Sequence, residues 1–298
     1  MGVMASRPPL ADGALLWRET TTVTYLEPLA LSAYARLRCA FTTRHAGRSG
    51  QSLNLSFDKG ERATVLAQRQ HVLQALELAH MPLCTVRQVH GNQVCVVDAA
   101  LLQRGLTGIA ADALVTNLAQ VALGILVADC LPIVLYTLDS PVIALVHAGR
   151  MGTYDRVVQH TLEVIAHRFA ILPAQIHAVL GPAIGACCYM LDRRAVSPFQ
   201  EQFPVWEQFF IPHGPERWTM DLLMANTLQL RAAGVPAEHI ETASICTACH
   251  KHDLYSHRAE GQEAGRGMAI VALTSTARAS QSLDSYESSS ATPPAARS

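Results

Sequence analysis

A cysteine beside a histidine makes either a nucleophile with its base or half of a metal site. Cys130 and His147 are brought to that position by the stretch from Val121 to Gly152, VALGILVADCLPIVLYTLDSPVIALVHAGRMG, the most apolar run of the chain. Its three apolar segments, Val121 to Ala128, Ile133 to Tyr136 and Val142 to Val146, read as three neighbouring strands. If the chain folds back between Leu138 and Asp139, residues equidistant from that point face each other, and Cys130 and His147 are such a pair. Pro132, which lacks an N–H, marks a strand start or bulge next to them. The small residues of His147-Ala148-Gly149 let a ligand approach the backbone. The plain alternative is a small core cysteine and a histidine satisfied as a polar cap.

A third residue of the right type is His90. Thr85 to Val97 alternates as a strand pair interrupted by the turn residues His90-Gly91-Asn92, which puts His90 at a strand end. Two neutral imidazoles and one thiolate are a three-ligand set of the kind a catalytic zinc uses, with a fourth position left for water. Asp129, adjacent to Cys130, is the nearest carboxylate in sequence that could assist as a base. Arg44, in the glycine-containing loop Thr43 to Gly50, and Arg258 and Arg266 are candidates for holding an anion such as phosphate. Each has the ordinary alternative of a solvated surface arginine.

A second cysteine and histidine run, Cys246-Thr247-Ala248-Cys249-His250, matches the attachment pattern of c-type haem. That chemistry requires export, and the N-terminal residues do not read as a secretory signal. As a zinc knuckle the run lacks a second ligand pair of matching spacing. No P-loop, G-x-S-x-G or H-E-x-x-H pattern is present.

The elements that must position these residues follow from periodicity. Glu61 to Ala79, Thr153 to Phe169 and Met220 to Ala232 carry apolar residues at helical spacing, the last stopped by Gly234 and Pro236. Leu37 to Thr42, Ile176 to Leu180, Ile240 to Ile245 and Met268 to Leu273 read as strands, and Gly181 to Tyr189 as a tight loop. Residues 1–35 are expected to be a loose leader, 36–274 one catalytic domain and 275–298 a disordered tail poor in large apolar side chains.

At 298 residues, half of them hydrophobic, the chain buries a substantial core. Its net charge of −1 leaves no electrostatic footprint for nucleic acid or an anionic membrane, and a small partner is expected. No stretch is long enough to span a bilayer. Eight unevenly spaced cysteines, Cys187 and Cys188 adjacent among them, read as reduced thiols of a cytoplasmic protein.

Several phrases together resemble the multicopper polyphenol oxidase (laccase) family, also described as purine nucleoside phosphorylases of the YfiH type. They are Arg87-Gln88-Val89-His90-Gly91, Ala111-Asp112-Ala113-Leu114-Val115-Thr116, Ala128-Asp129-Cys130-Leu131-Pro132, His147-Ala148-Gly149 and Gly181-Pro182-Ala183-Ile184-Gly185. Asn54-Leu55-Ser56, Cys246-Thr247 and Ser256-His257-Arg258 extend the resemblance over about residues 37–273. It implies zinc on His90, Cys130 and His147, and a single α+β domain of mixed β-sheets flanked by helices. A distant likeness to toxin deamidases that use a Cys–His pair comes with it.

For function the resemblance implies phosphorolysis of adenosine, inosine and methylthioadenosine, with adenosine deamination as a further activity. Copper-dependent phenol oxidation and a peptidoglycan-editing role are the other readings attached to the family, and a metal-stabilised binding protein is a third class. One departure stands out: the family usually continues HAG with Trp-Arg-Gly, whereas this chain has Arg150-Met151-Gly152. The expectation is a cytoplasmic zinc enzyme acting on a purine nucleoside and phosphate, its turnover lowered by that change.

Overall fold

The computed structural model describes residues 13–32, 34–47 and 50–275. Two six-stranded sheets dominate. The first runs Leu15–Glu19, Thr24–Pro28, Leu37–Thr42, Gly267–Leu273, Val121–Val127, Leu83–Cys84, antiparallel throughout except for the last pair. The second runs Ile240–Thr242, His177–Leu180, Leu131–Tyr136, Ile143–Ala148, Ala113–Thr116, Val94–Val96, parallel at each end and antiparallel between.

The sheets stack face to face, since Phe41, Leu123, Ile125 and Val271 of the first share one core with Val134, Tyr136, Ile143 and Leu145 of the second. The helix Arg62–Ala75 covers the outer face of the first sheet through Val72 and Leu73. Val157–Phe169, Arg193–Gln202 and Leu222–Ala232 cover the second. The result is one α+β domain of mixed sheets flanked by helices, as expected. Because helices and sheet bury both faces of the central strands, Val121–Val127 and Leu131–Tyr136 read as continuous apolar runs and not as an alternation.

Three details differ from the sequence expectation, and each bears on the site. Val121–Val127 does not neighbour Leu131–Tyr136: it belongs to the first sheet and pairs with Gly267–Leu273, so Ala128-Asp129-Cys130 is a crossing between sheets. Residues 85–93 make the same crossing from Leu83–Cys84 to Val94–Val96, and His90 lies in it, not at a hairpin turn. Finally, the hairpin register places Pro132 opposite His147, two residues away from the expected pairing of Cys130 with His147. The turn is centred one residue later because Thr137 N–H donates to Val142 O and Val142 N–H to the Thr137 hydroxyl, closing the loop around Leu138 to Pro141.

The loose leader expected up to residue 35 contains two strands, Leu15–Glu19 and Thr24–Pro28, paired at the edge of the first sheet. Residues 1–12 and 276–298, which carry the rest of the leader and nearly all of the expected tail, lie outside the described residues. The segment Thr153 to Phe169 is divided between the helices Arg150–Tyr154 and Val157–Phe169 by Arg156, which is left-handed at φ 59. Further along the chain, residues 190–220 add a small antiparallel sheet, Met190–Asp192, Arg217–Met220 and Phe210–Pro212, that the sequence pattern did not show. No described helix is long and apolar enough to cross a membrane.

Candidate functional site

Both sheet-to-sheet crossings and the end of the strand Ile143–Ala148 converge at one edge of the sandwich. There His90, Cys130 and His147 each offer one ligand atom, all within 4.8 Å of one another. Although Cys130 lies opposite Gly149 and not His147, the glycine leaves space for the thiol, since a Cβ at Gly149 would stand 2.7 Å from Cys130 Sγ. The expected juxtaposition therefore holds despite the shifted register: the thiol lies across a residue without a side chain and reaches the diagonal neighbour. The rings of His90 and His147 meet edge to face with centroids 4.9 Å apart.

Asp112, fully buried at the entry to the strand Ala113–Thr116, holds this arrangement. Its Oδ1 accepts from the His90 N–H at 2.9 Å and from His147 Nδ1 at 2.9 Å, and its Oδ2 from the N–H groups of Val89 at 3.2 Å and Gly91 at 2.8 Å. A carboxylate only accepts, so Nδ1 of His147 carries a proton and Nε2 is the nitrogen left to face Cys130, where it donates as an imidazolium or, once deprotonated, can bind a metal. The same bonds keep His90 in its left-handed conformation, φ 61, which an L side chain rarely adopts.

The electrostatics are those of an ion pair. Burial pushes the Cys130 thiol up, but the imidazoles of His147 and His90 outweigh it and bring the pKa down to about 6. Burial opposes charge on His147, and Cys130 together with Asp112 nonetheless raises it to about 9. Asp112 is held below its ordinary value, burial being overcome by the His147 ring and the backbone donors. A thiolate and an oriented imidazole are thus present near neutral pH, suited either to nucleophilic chemistry or to a cation.

These residues floor a cavity of about 690 Å³ whose wall includes Asp129, Arg258 and Arg266. Asp129 is itself left-handed, φ 86, and both of its oxygens are engaged. Oδ1 accepts the Thr247 hydroxyl at 2.6 Å and Oδ2 the Arg258 N–H at 2.6 Å, so the carboxylate ties two loops together beside Cys130. The Arg258 guanidinium donates to Cys188 O and Met190 O and lies over Tyr189. That of Arg266 donates to Ala264 O and Gly265 O. In both cases these partners are neutral carbonyls, which orient the positive charge without cancelling it.

Arg44 is placed differently from the expectation. Its guanidinium pairs with Glu260 at 2.8 Å, donates to Lys251 O and lies over Tyr255, and it is not part of the cavity wall. A charge spent on a carboxylate is a poor anion holder. Arg69, Arg87 and Arg150 line the cavity instead. Arg69 donates twice to Leu55 O, and burial, helped by Arg62, lowers its pKa to about 10.

Over residues 38–274 the sequence matches the family model described as multi-copper polyphenol oxidoreductase laccase. The chain belongs to this family. Among similar proteins, the one named purine nucleoside phosphorylase YlmD of Geobacillus stearothermophilus is 32% identical over 252 residues, spanning 80% of this chain and 90% of the relative. A protein from an unknown prokaryotic organism named adenosine deaminase RL5 is 31% identical over 188 residues, 54% of this chain and 66% of the relative. The crystal structure of YlmD from Geobacillus stearothermophilus superposes with a TM-score of 0.78 at 30% identity, covering 87% of this chain and 99% of that one.

Within this laccase-family fold the residue that sequence reasoning most clearly missed is Asp112. Its phrase was visible, and an aspartate between apolar residues in a buried strand is itself a signal, because a buried carboxylate demands partners. Arg69 and Arg87 carried no such mark. The departure at Arg150-Met151 sits at the start of a helix and not in a loop, and both side chains line the cavity.

Proposed function

We propose that this chain is a metal-dependent purine nucleoside phosphorylase, acting on adenosine, inosine and methylthioadenosine, with adenosine deamination as a second activity. The observation that carries the reading is the convergence of His90, Cys130 and His147 within 4.8 Å on the floor of a cavity walled by arginines. The names of the similar proteins support it.

The donor set fits zinc: two imidazoles, one with its tautomer set by Asp112, and a thiol whose pKa of about 6 leaves it largely ionised at neutral pH. Zinc, when bound, supplies Lewis acidity for activating water or the departing purine. In phosphorolysis a phosphate oxygen forms the bond to ribose C1′ as the bond to the purine nitrogen breaks. Arg258 and Arg266, oriented by carbonyls, hold that phosphate and stabilise its charge. Asp129 keeps Arg258 in place through its backbone bond and acts as a positioning group. Tyr189, under the Arg258 guanidinium, offers an aromatic face in the same cavity.

The same two-histidine, one-cysteine set also suits copper. A multicopper phenol oxidase needs further histidine-rich centres, and the other cluster of metal-ligating side chains among the described residues contains cysteines alone. The nucleoside reading is therefore preferred.

The test is phosphate-dependent release of hypoxanthine from inosine by zinc-loaded protein, with ribose 1-phosphate as co-product, beside a phenol-oxidation assay of copper-loaded protein. Cys130→Ser and His147→Ala should each abolish purine release and most of the metal bound at this site. Zinc-loaded protein that leaves nucleosides intact, or phenol oxidation in its place, overturns the proposal.

A further inference from the structure

The strands His177–Leu180 and Ile240–Thr242 run parallel as neighbours, so the loops that follow them leave the sheet side by side. They stay together beyond the sheet: Ala183 N–H donates to Ile245 O and Thr247 N–H to Ala183 O, making a parallel bridge between Ala183 and Cys246. This pairing joins two cysteine pairs that are distant in sequence, Cys187-Cys188 on one loop and Cys246 with Cys249 on the other. The four Sγ atoms all lie within 4.8 Å of one another, and Cys249 Sγ is 3.5 Å from both Cys187 Sγ and Cys188 Sγ.

The geometry points to a second metal centre, a structural tetrathiolate site for a divalent cation such as zinc held by Cys187, Cys188, Cys246 and Cys249. A tetrahedron with zinc–sulfur bonds of about 2.3 Å has sulfur–sulfur edges of about 3.8 Å. The observed spacing brackets that edge. A disulfide would instead bring one pair to about 2.05 Å and exclude the others. All four are free thiols, and Cys249 is equally distant from two partners, which is the arrangement of a shared ion.

The backbone is shaped for it. Gly185 N–H donates to Cys246 Sγ at 3.2 Å, a bond that favours the thiolate. Gly185 also has to be small, since a Cβ there would meet Cys246 Cβ at 3.2 Å and Cys187 Sγ at 3.3 Å. Cys188 N–H and Tyr189 N–H both turn back to Gly185 O, aiming the adjacent cysteines at the opposite loop. His250, the histidine of the C-x-x-C-H run, has its Nδ1 on Cys246 O and is not a member of the cluster. The partner pair that the run lacks in sequence is supplied by Cys187-Cys188 through the fold.

Cation uptake releases one proton per ligating thiol, changes no oxidation state and closes the site with four protein ligands, as structural zinc does. It would clasp a loop that walls the cavity to a second loop that reaches it through Asp129. One carries Ile184, Tyr189 and the Cys188 carbonyl that accepts from Arg258, and the other carries Thr247, which holds Asp129. The centre is independent of the His90–Cys130–His147 site and does not depend on what that site catalyses.

The experiment uses the full chain carrying Cys130→Ser and His147→Ala, which removes ligands from the first site. Reduced protein is loaded with cobalt(II) alone and read by absorption and elemental analysis. We expect about one cobalt per chain with the intense sulfur-to-metal charge-transfer absorption of thiolate ligation, lost when Cys187→Ser and Cys249→Ser are added. On the parent protein loaded with zinc, these four cysteines should resist alkylation and become reactive when a chelator is added. Absence of the cobalt absorption, alkylation of the four cysteines unaffected by zinc, or a disulfide among them in protein handled without air overturns the inference.

Discussion

Asp112→Asn preserves shape while removing a charge and half of the acceptor capacity, and the structure says what that does. Oδ1 serves His90 N–H and His147 Nδ1, and Oδ2 serves Val89 N–H and Gly91 N–H. An amide has one oxygen, so its NH₂ must face one of these pairs of donors. In one orientation the His147 ring and His90 lose their acceptor, and in the other the turn carrying His90 does. Fully buried donors left unpaired cost about 1–3 kcal/mol each, and of these four only the His147 ring is fully buried, so the loss of stability should be about 1–3 kcal/mol. Because either orientation frees one wall of the triad, metal affinity should fall about 10–100-fold. Urea unfolding of the metal-free protein measures the first quantity, and competition with a chromophoric chelator the second. Parent-like values in both would refute the argument that Asp112 organises the site.

Gly149→Ala places a Cβ 2.7 Å from Cys130 Sγ and 3.3 Å from His90 Cδ2 while its φ of −78 suits alanine. Turnover should fall about 10²-fold, as expected for a misplacement near 1 Å, with the circular dichroism of the fold unchanged. Arg258→Ala should raise the KM for phosphate about tenfold, the loss of roughly 1.4 kcal/mol from a charge-assisted contact. Arg44→Ala should leave that KM alone and cost at most about 1 kcal/mol of stability, because its guanidinium is committed to Glu260. Steady-state kinetics beside thermal melts separates the two arginines. Arg150→Trp combined with Met151→Arg, which restores the pair usual in the family, should raise nucleoside turnover at equal metal content. An unchanged rate would show that the guanidinium at Arg150, already in the cavity wall, serves as well.

What the sequence by itself determined is local in character. Runs such as Leu37–Thr42, with residues buried on both faces, announce a strand wherever it goes. The start of the helix Arg62–Ala75 is marked by Glu61, whose carboxylate accepts from Ala63 and Thr64 N–H. The ligand types of His90, Cys130 and His147 and the phrases around them were equally plain, and so was the family. These signals depend on side chains a few residues apart, which is the range over which periodicity and capping act.

The tertiary structure decided everything that depends on partners distant in the chain. An apolar run does not record which sheet it joins, so the sequence alone sets Val121 to Ala128 beside Ile133 to Tyr136, whereas the chain changes sheet at Asp129 and Cys130. Register was set by the Thr137 and Val142 bonds that close the turn, two residues from the symmetric guess. Arg44 reads like any other loop arginine until Glu260 is brought to it. The four-cysteine cluster exists only because His177–Leu180 and Ile240–Thr242 are parallel neighbours, a pairing between segments separated by a helix-rich excursion that leaves no mark in either sequence. Side-chain chemistry is local, but the hydrogen bonding that aligns two strands, and with it the meeting of their loops, is settled only when the sheets assemble.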